Sequence, residues 1–173
     1  NGLSALPSKV QQVLDNQDEI ALVAQFLSGY EKALFIGRGI NLPVALEGAL
    51  KLKEISYIHA TGYAAGELKH GPFALLGPDT PTVAIIARDD TYQAIITNVI
   101  EVRSRKSPIV AVVGQDDTNG HLYDRAVRVP RVDNLFSPVV NTVALQLLAY
   151  HTARLRGCPI DRPRNLAKSV TVE

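Results

Sequence analysis

The sequence has one cysteine, no methionine and no tryptophan, and its 18 basic side chains nearly balance 17 acidic ones. The single cysteine, Cys158, excludes a disulfide framework within one chain. Lysine and arginine are scattered and the net charge is +1, so there is no basic stripe for nucleic acid. The longest weakly polar run, 138–150, contains Asn141 and Gln146 and is too short to span a bilayer. Since the N-terminus also lacks a targeting pattern, we predict a cytoplasmic protein with no nucleic-acid partner and no membrane span.

Short apolar runs alternate along the chain with segments of helical periodicity. Strands are predicted at 33–36, 82–87, 109–113 and 126–129, and helices at 41–58, 92–104 and 134–156 with two short ones over 7–28. The runs at 82–87 and 109–113 do not alternate, which is typical of parallel strands covered on both faces. The predicted fold class is therefore α/β, a three-layer αβα sandwich around a mainly parallel sheet. The last helix is apolar over much of its surface, so we expect it to be buried or to lie at a subunit contact.

A glycine turn, Gly37-Arg38-Gly39, follows the first predicted strand. Asn41 and Pro43 come next and are typical of the N-cap and first turn of a helix. A helix N-terminus at the end of a strand can bind phosphate through its free N–H groups. The dinucleotide-binding spacing is incomplete, because position 42 is leucine, so a tight turn without a ligand is the alternative.

Three charged residues on the following helix, Glu47, Lys51 and Glu54, are spaced by four and three positions. This spacing places them on one helix face. A carboxylate beside an ammonium can act as a proton-abstracting base. The alternative is an exposed stripe of ion pairs, each worth roughly 0.2–0.5 kcal/mol.

The segment 66–72, Gly-Glu-Leu-Lys-His-Gly-Pro, predicts a loop with one helical turn. His70 in such a loop can shuttle protons near neutral pH, and a surface histidine without a role is the alternative. The four histidines show no metal-ligand spacing with one another or with Cys158, so we predict neither a metal nor another cofactor.

Three basic residues, Arg162, Arg164 and Lys168, lie close together near the C-terminus. A lysine attacks a carbonyl only as the free amine, and its ordinary pKa of about 10.4 leaves it protonated at neutral pH. Neighbouring cations and burial lower that pKa, and a decrease of about 3 units corresponds to roughly 4 kcal/mol. The arginines can instead hold a phosphate or a carboxylate, and a solvated basic tail is the third interpretation.

Three separated stretches together resemble, in the right order, the C-terminal end of the glutamine–fructose-6-phosphate aminotransferases. They are residues 45–55, Ala-Leu-Glu-Gly-Ala-Leu-Lys-Leu-Lys-Glu-Ile, the segment 66–72, and residues 163–173, Pro-Arg-Asn-Leu-Ala-Lys-Ser-Val-Thr-Val-Glu. The resemblance implies the second of two sugar isomerase (SIS) subdomains over 29–160. It also implies a helical lead-in over 1–28 and a catalytic tail over 161–173.

The resemblance further implies an activity that belongs to a longer chain. Members convert fructose 6-phosphate and glutamine-derived ammonia to glucosamine 6-phosphate, in hexosamine biosynthesis, as homodimers. Glutamine is handled by an N-terminal domain and the phosphate by the first SIS subdomain, and neither lies within this sequence. Because the sequence begins at Asn1 and has no methionine, we expect a piece of such a protein that is inactive alone.

Each matching residue acquires an expected role from the resemblance. Lys168 corresponds to a lysine that forms a Schiff base with fructose 6-phosphate, and Glu54 to a glutamate that moves a proton between C1 and C2. His70 corresponds to a histidine that helps to open the sugar ring and comes from the neighbouring subunit. Lys51 corresponds to a lysine beside the glutamate. The expected substrate-binding residues of the tail are Arg164, Ala167 and Val170.

Two other functions remain open at this point. One is a sugar-phosphate-sensing module without catalysis, because sugar isomerase folds also serve in regulators. The other is a dimerisation unit, suggested by the apolar helix at 134–156, and it is compatible with catalysis. Thr61-Gly62 departs from the Glu-Ala usual in bacterial members, which leaves the loop before Gly66 uncertain but touches no matched catalytic position.

Overall fold

Five parallel strands form one sheet at the centre of the computed structural model, which describes residues 2–166. The sheet has the order β2-β1-β3-β4-β5. The strands are β1 (Lys32–Gly37), β2 (His59–Ala64), β3 (Thr82–Ile86), β4 (Ile109–Gly114) and β5 (Arg125–Val129). All four strand pairs are parallel, because each connection crosses over one face of the sheet before the next strand begins.

Helices cover both faces of the sheet and complete the predicted three layers. They are α1 (Gly2–Asp15), α2 (Gln17–Ser28), α3 (Leu42–Ser56), α4 (Tyr92–Arg103) and α5 (Ser137–Leu155). One apolar cluster joins α1, α2, α3 and α5 to alternate strand residues such as Phe35 and Val110. A second cluster joins α4 and the 3₁₀ helix Ala65–His70 to the other strand face, through residues such as Ile36 and Val113.

The four predicted strands and the two short N-terminal helices are confirmed, whereas β2 is a fifth strand that was not predicted. Its sequence, His-Ala-Thr-Gly-Tyr-Ala, has few β-branched residues and contains Gly62. That glycine is required by packing, since a Cβ atom there would lie 2.9 Å from the Leu46 Cα. The absence of a side chain lets α3 approach the edge strand, and the same absence weakens the strand signal.

Asn41 occupies the N-cap position of α3 and Pro43 lies in its first turn, as predicted. The Asn41 side chain, however, caps no N–H of the helix. Asn41 is 1% exposed, and its Oδ1 accepts a hydrogen bond from Asn141 Nδ2 at 2.9 Å. The Asn41 side chain therefore links the starts of α3 and α5 instead of capping its own helix, and its Nδ2 has no hydrogen-bond partner among the described residues.

Much of the apolar surface of α5 is covered within this chain. Residues including Val140, Leu145 and Leu148 are buried in the cluster that α5 shares with α1, α2 and α3. The predicted burial of α5 is therefore confirmed for this face, while Val139, Tyr150 and Leu155 are exposed. Within residues 2–166, no helix is long and apolar enough to cross a membrane.

Candidate active site

Glu47, Lys51 and Glu54 lie along one face of α3, as their spacing predicts. Lys51 Nζ is 2.6 Å from Glu54 Oε2 and 3.8 Å from Glu47 Oε1. The Lys51 and Glu54 side chains are 32% and 28% exposed, so they are partly shielded from water. The hydrogen bond to Glu54 raises the pKa of the Lys51 amine, against the smaller opposing effect of burial. Lys51 therefore stays a cation at neutral pH and holds the Glu54 carboxylate, the group able to accept a proton.

This charged cluster lies towards the amino-terminal edge of the sheet. α3 begins beside Gly37, the last residue of β1, and ends at Ser56, just before β2 starts. The first residue of β2, His59, pairs with Lys32 at the start of β1. Ligands of parallel α/β sheets usually bind at the opposite, carboxyl edge, so the fold class alone does not locate Glu54 in a site.

Tyr57 ends α3 and contacts the C-terminal tail. It has a left-handed backbone, with φ +62°, and its N–H donates to the Lys53 carbonyl oxygen at 3.2 Å. Its hydroxyl accepts a hydrogen bond from the Arg164 backbone N–H at 2.9 Å. The Arg164 guanidinium carbon lies 4.1 Å from the centroid of the Tyr57 ring. The start of the tail motif therefore lies beside the C-terminal end of α3, the helix that carries Lys51 and Glu54.

Arg156 ties the start of the tail to the same helix end. Its Nε donates to the Ser56 carbonyl oxygen at 3.1 Å, and its Nη1 donates to the carbonyl oxygens of Ser28 and Tyr30 at 2.9 and 3.0 Å. Its Nη2 lies 3.1 Å from both carboxylate oxygens of Glu31. A cation beside the carbonyls that end a helix is favoured by the helix dipole. Arg156 thus joins α2, α3 and α5 where the tail departs.

His70 lies on the other side of the sheet from Glu54. The 3₁₀ helix Ala65–His70 packs into the α4 cluster through Leu68, and Lys69 Nζ reaches Glu101 Oε1 on α4 at 2.9 Å. The His70 side chain is 72% exposed and its Nε2 is 3.8 Å from Glu67 Oε2. The structure therefore brings Lys51, Glu54 and Arg164 to one end of α3, and it leaves His70 apart from them within the chain.

Three of the predicted site residues, Ala167, Lys168 and Val170, lie outside the described residues. Among residues 2–166, no group of three His, Cys, Asp or Glu side chains is arranged to hold a metal ion. The chemistry that the described residues offer is a carboxylate fixed by an ammonium, beside a basic segment that leads into Lys168.

The glycine turn after β1 is shaped by its own backbone. A Cβ atom at Gly37 would collide with the Asn41 carbonyl oxygen, and Gly39 has φ +51°. Arg38 turns away from the start of α3, and its Nη1 donates to Asn98 Oδ1 at 2.9 Å. The backbone of a tight turn therefore explains why positions 37 and 39 are glycines. This favours a turn without a ligand over a phosphate-binding site.

A cavity of about 540 Å³ opens at the carboxyl edge, away from the charged cluster. It lies at the ends of β3, β4 and β5, and the start of α5 also lines it. Neither this cavity nor the contacts of Tyr57 and Arg156 are predicted from the sequence. The local sequence signals for these residues are weak. Tyr57 is a bulky residue directly after a helix, and Arg156 directly precedes a glycine.

Comparisons with known proteins identify the family of this fold. The SIS domain family matches residues 26–156. The chain is 51% identical over 172 residues to a glutamine–fructose-6-phosphate aminotransferase (isomerizing) of Chlorobaculum tepidum, covering 99% of this chain and 28% of the relative. The solved C-terminal domain of a glucosamine-fructose-6-phosphate aminotransferase from Francisella tularensis superposes with a TM-score of 0.85 at 36% identity, covering 92% of this chain and 45% of that one.

The same fold occurs in a regulator. The sugar isomerase domain of an RpiR transcription factor from Sphaerobacter thermophilus matches with a TM-score of 0.73, covering 90% of this chain and 89% of that one. At 16% identity, this match shows the fold alone.

The similarity to the aminotransferases confirms the resemblance drawn from the three sequence stretches. The chain spans 28% of the length of the curated relative from Chlorobaculum tepidum, so it corresponds to one part of such a protein. The family match covers most of the α/β unit, including the whole sheet. This chain therefore belongs to the SIS domain family.

Proposed function

We propose that this chain is the C-terminal part of the isomerase domain of a glutamine–fructose-6-phosphate aminotransferase. The full-length protein would convert fructose 6-phosphate and glutamine-derived ammonia to glucosamine 6-phosphate. Residues 29–160 would form the second SIS subdomain, with 1–28 as its lead-in and 161–173 as its catalytic tail. Glutamine would act only through a domain outside this chain, and this part alone would be inactive.

One observation carries the proposal: Arg164 of the tail is bound to Tyr57 at the end of α3. Glu54 precedes Tyr57 by less than one helical turn, and Lys168 follows Arg164 by four residues. Four residues of chain span at most about 14 Å. The tail contact therefore supports a site in which Lys168 and Glu54 act on one sugar molecule.

In this site, Lys168 acts as the nucleophile. Its free amine attacks the C2 carbonyl of open-chain fructose 6-phosphate, and the carbinolamine loses water to give an imine. Ammonia then adds to C2 and expels the lysine amine, so the sugar holds the new nitrogen. The resulting C2 imine withdraws electrons from C1 and makes its proton acidic.

Glu54 acts as the proton carrier. Its carboxylate removes a proton from C1 of the protonated C2 imine, which gives a neutral enolamine, and the carboxylic acid returns that proton to C2. The C1 hydroxyl releases its proton to water and becomes the aldehyde, so the product is the 2-amino aldose. Lys51, fixed 2.6 Å from Glu54 Oε2, keeps the carboxylate in position.

His70 would assist ring opening in the site of a neighbouring subunit. Its exposed side chain lies on the face of the sheet opposite α3, which supports a role in another copy rather than beside its own Glu54. The position is consistent with a homodimer in which each site contains residues from two chains.

Replacing Lys168 in the full-length protein tests the proposed function. We expect Lys168→Ala to abolish both glucosamine 6-phosphate formation and isomerisation of fructose 6-phosphate. The matched control is Lys106→Ala, which removes an exposed lysine between α4 and β4 and should keep normal turnover. Normal turnover by Lys168→Ala would exclude the imine mechanism.

A further inference from the structure

The backbone of Tyr57 is unusual for a residue with a large side chain. Its φ of +62° lies in the left-handed region, where glycine commonly ends helices because it lacks a Cβ atom. Glycine adopts this backbone conformation at lower cost than tyrosine does. The contacts of the tyrosine side chain therefore have to account for its presence here. The side chain is half-buried. Its hydroxyl accepts a hydrogen bond from the Arg164 backbone N–H, and its ring face packs against the Arg164 guanidinium.

The contact between Tyr57 and Arg164 has two separable parts. The hydroxyl accepts the Arg164 backbone N–H at 2.9 Å, which fixes the path of the main chain. The ring face lies 4.1 Å from the guanidinium carbon, a cation–π arrangement that fixes the side chain. Removal of the hydroxyl and removal of the ring are therefore distinct perturbations.

The segment between α5 and Arg164 is also held against this helix end. Arg156 Nε donates to the Ser56 carbonyl oxygen at 3.1 Å, and the Cys158 thiol lies 3.6 Å from the same oxygen. Gly157 turns the chain with φ +67°. Tyr57 is thus the last described anchor before Lys168.

We propose that Tyr57 is a positioning residue: it holds Arg164 at the end of α3 and thereby limits the region from which Lys168, four residues further on, can reach the sugar. This inference rests on the proposed function, because it assigns Tyr57 an effect on the lysine nucleophile. Tyr57 touches no reacting atom in this scheme. Its loss lowers the fraction of chains with the tail in place, so it lowers kcat and leaves the fold intact.

Tail docking is measured first, without reference to activity, in the full-length protein. Trypsin cleaves after Arg164 but not at the Arg162–Pro163 bond, so the initial rate of cleavage between Arg164 and Asn165, followed by mass spectrometry, reports release of the tail. We expect Tyr57→Leu, which loses the hydrogen bond and the stacking, to be cleaved about tenfold faster than the parent. Tyr57→Phe keeps the ring and should be cleaved only two- to threefold faster.

The matched control is Arg125→Ala. It removes a guanidinium that lies 4.9 Å from the Phe26 ring, a cation–π pair outside the tail. This variant should leave both the cleavage rate after Arg164 and the turnover unchanged. The thermal unfolding midpoint is measured for all variants, and we expect those of the Tyr57 variants to stay within a few degrees of the parent.

Kinetics on the same variants separate positioning from a structural role. In Tyr57→Leu, kcat for isomerisation should fall about tenfold while KM for fructose 6-phosphate stays within about twofold, and Tyr57→Phe should recover most of kcat. Unchanged kcat or unchanged cleavage in Tyr57→Leu would overturn the inference. If Tyr57→Leu does not fold, a rate of cleavage after Arg164 that is unchanged in Tyr57→Phe would overturn it.

Borohydride trapping of the parent protein with fructose 6-phosphate distinguishes failure of this inference from failure of the proposed function. An adduct on Lys168, together with unchanged kcat in the Tyr57 variants, would leave the proposed function standing without the positioning role. Absence of the adduct in the parent would remove the proposed function and the inference with it.

Discussion

The Arg164 backbone N–H donates to the Tyr57 hydroxyl at 2.9 Å, and the Arg164 guanidinium carbon lies 4.1 Å from the centroid of the Tyr57 ring. The two residues are 107 positions apart in sequence. Their contact ties the tail motif to the end of the helix that carries Glu54. Glu54 belongs to the first of the three stretches on which the family resemblance rests, and Arg164 belongs to the third.

Replacement of Glu54 should have a far larger effect on the reaction than replacement of Glu47. Glu54 Oε2 is 2.6 Å from Lys51 Nζ, whereas Glu47 Oε1 is 3.8 Å away on the same helix face. We expect Glu54→Gln in the full-length protein to lower kcat by about 10²–10⁴, the usual contribution of a general base. Glu47→Gln, the matched control, should stay within a few-fold of the parent. Equal effects on kcat would contradict the role of Glu54.

Arg156→Ala should destabilise the fold strongly. The side chain is 19% exposed, and its loss leaves the Ser56, Ser28 and Tyr30 carbonyl oxygens without their charged donor. We expect the free energy of unfolding to fall by about 2–4 kcal/mol, measured by urea denaturation of the 173-residue chain.

Glu31→Gln is the matched control for Arg156→Ala. It removes the carboxylate partner of Arg156, but the Glu31 side chain is 82% exposed. Exposed ion pairs contribute little, so the expected loss is about 0.5 kcal/mol or less. Losses of similar size in the two variants would show that the carbonyl contacts do not carry the stabilisation.

Stability should decrease at mildly acidic pH because of His151. Burial, and then the nearby Arg154 cation, lower the pKa of the His151 imidazole, while Asp18 acts in the opposite direction. The side chain is 8% exposed, and its Nε2 has no hydrogen-bond partner among the described residues. The unfolded state therefore binds a proton more readily than the folded state. This contribution to stability is present above the unfolded pKa of about 6.5 and is lost as pH falls through the folded value.

His151→Leu tests this pH dependence. Between pH 7 and pH 5, we expect the free energy of unfolding of the variant to decrease less than that of the parent. Urea denaturation at several pH values gives both curves. Parallel curves would show that another group is responsible for the acid sensitivity.

Hybrid dimers test whether His70 serves a neighbouring subunit. We expect His70→Ala and Lys168→Ala to be nearly inactive as separate full-length proteins. Mixing them under conditions that exchange subunits should restore part of the activity, because some sites would then hold an intact His70 and an intact Lys168. No recovery, with exchange verified by native mass spectrometry, would contradict a shared site.

Much of the fold follows from local sequence signals. The apolar β-branched segments of β3 and β4 predict buried parallel strands, and the structure confirms them. The spacing of Glu47, Lys51 and Glu54 likewise predicts their common helix face. These features depend on residues within a few positions of one another, so periodicity is sufficient to find them.

Features that depend on distant contacts were missed or misassigned. Gly62 weakens β2 as a strand signal, yet it is required by the approach of Leu46 from α3. Asn41 has the sequence context of a helix cap, but it bonds to Asn141, 100 positions away. Arg156 bonds to carbonyl oxygens that lie 100 to 128 positions earlier. No local pattern encodes such partners, and the placement of His70 opposite α3 likewise emerges only from the packed sheet.

The proposed reaction depends on an imine between Lys168 and fructose 6-phosphate. The most direct measurement is borohydride reduction in the presence of this sugar, followed by intact-mass and peptide mass spectrometry, on the 173-residue chain and on a longer chain that includes the upstream SIS subdomain. We predict a hexitol phosphate adduct on Lys168 in the longer chain and none in the shorter one. No adduct in either chain, despite demonstrated binding of fructose 6-phosphate by the longer one, would contradict the imine mechanism and favour a sugar-phosphate-sensing module.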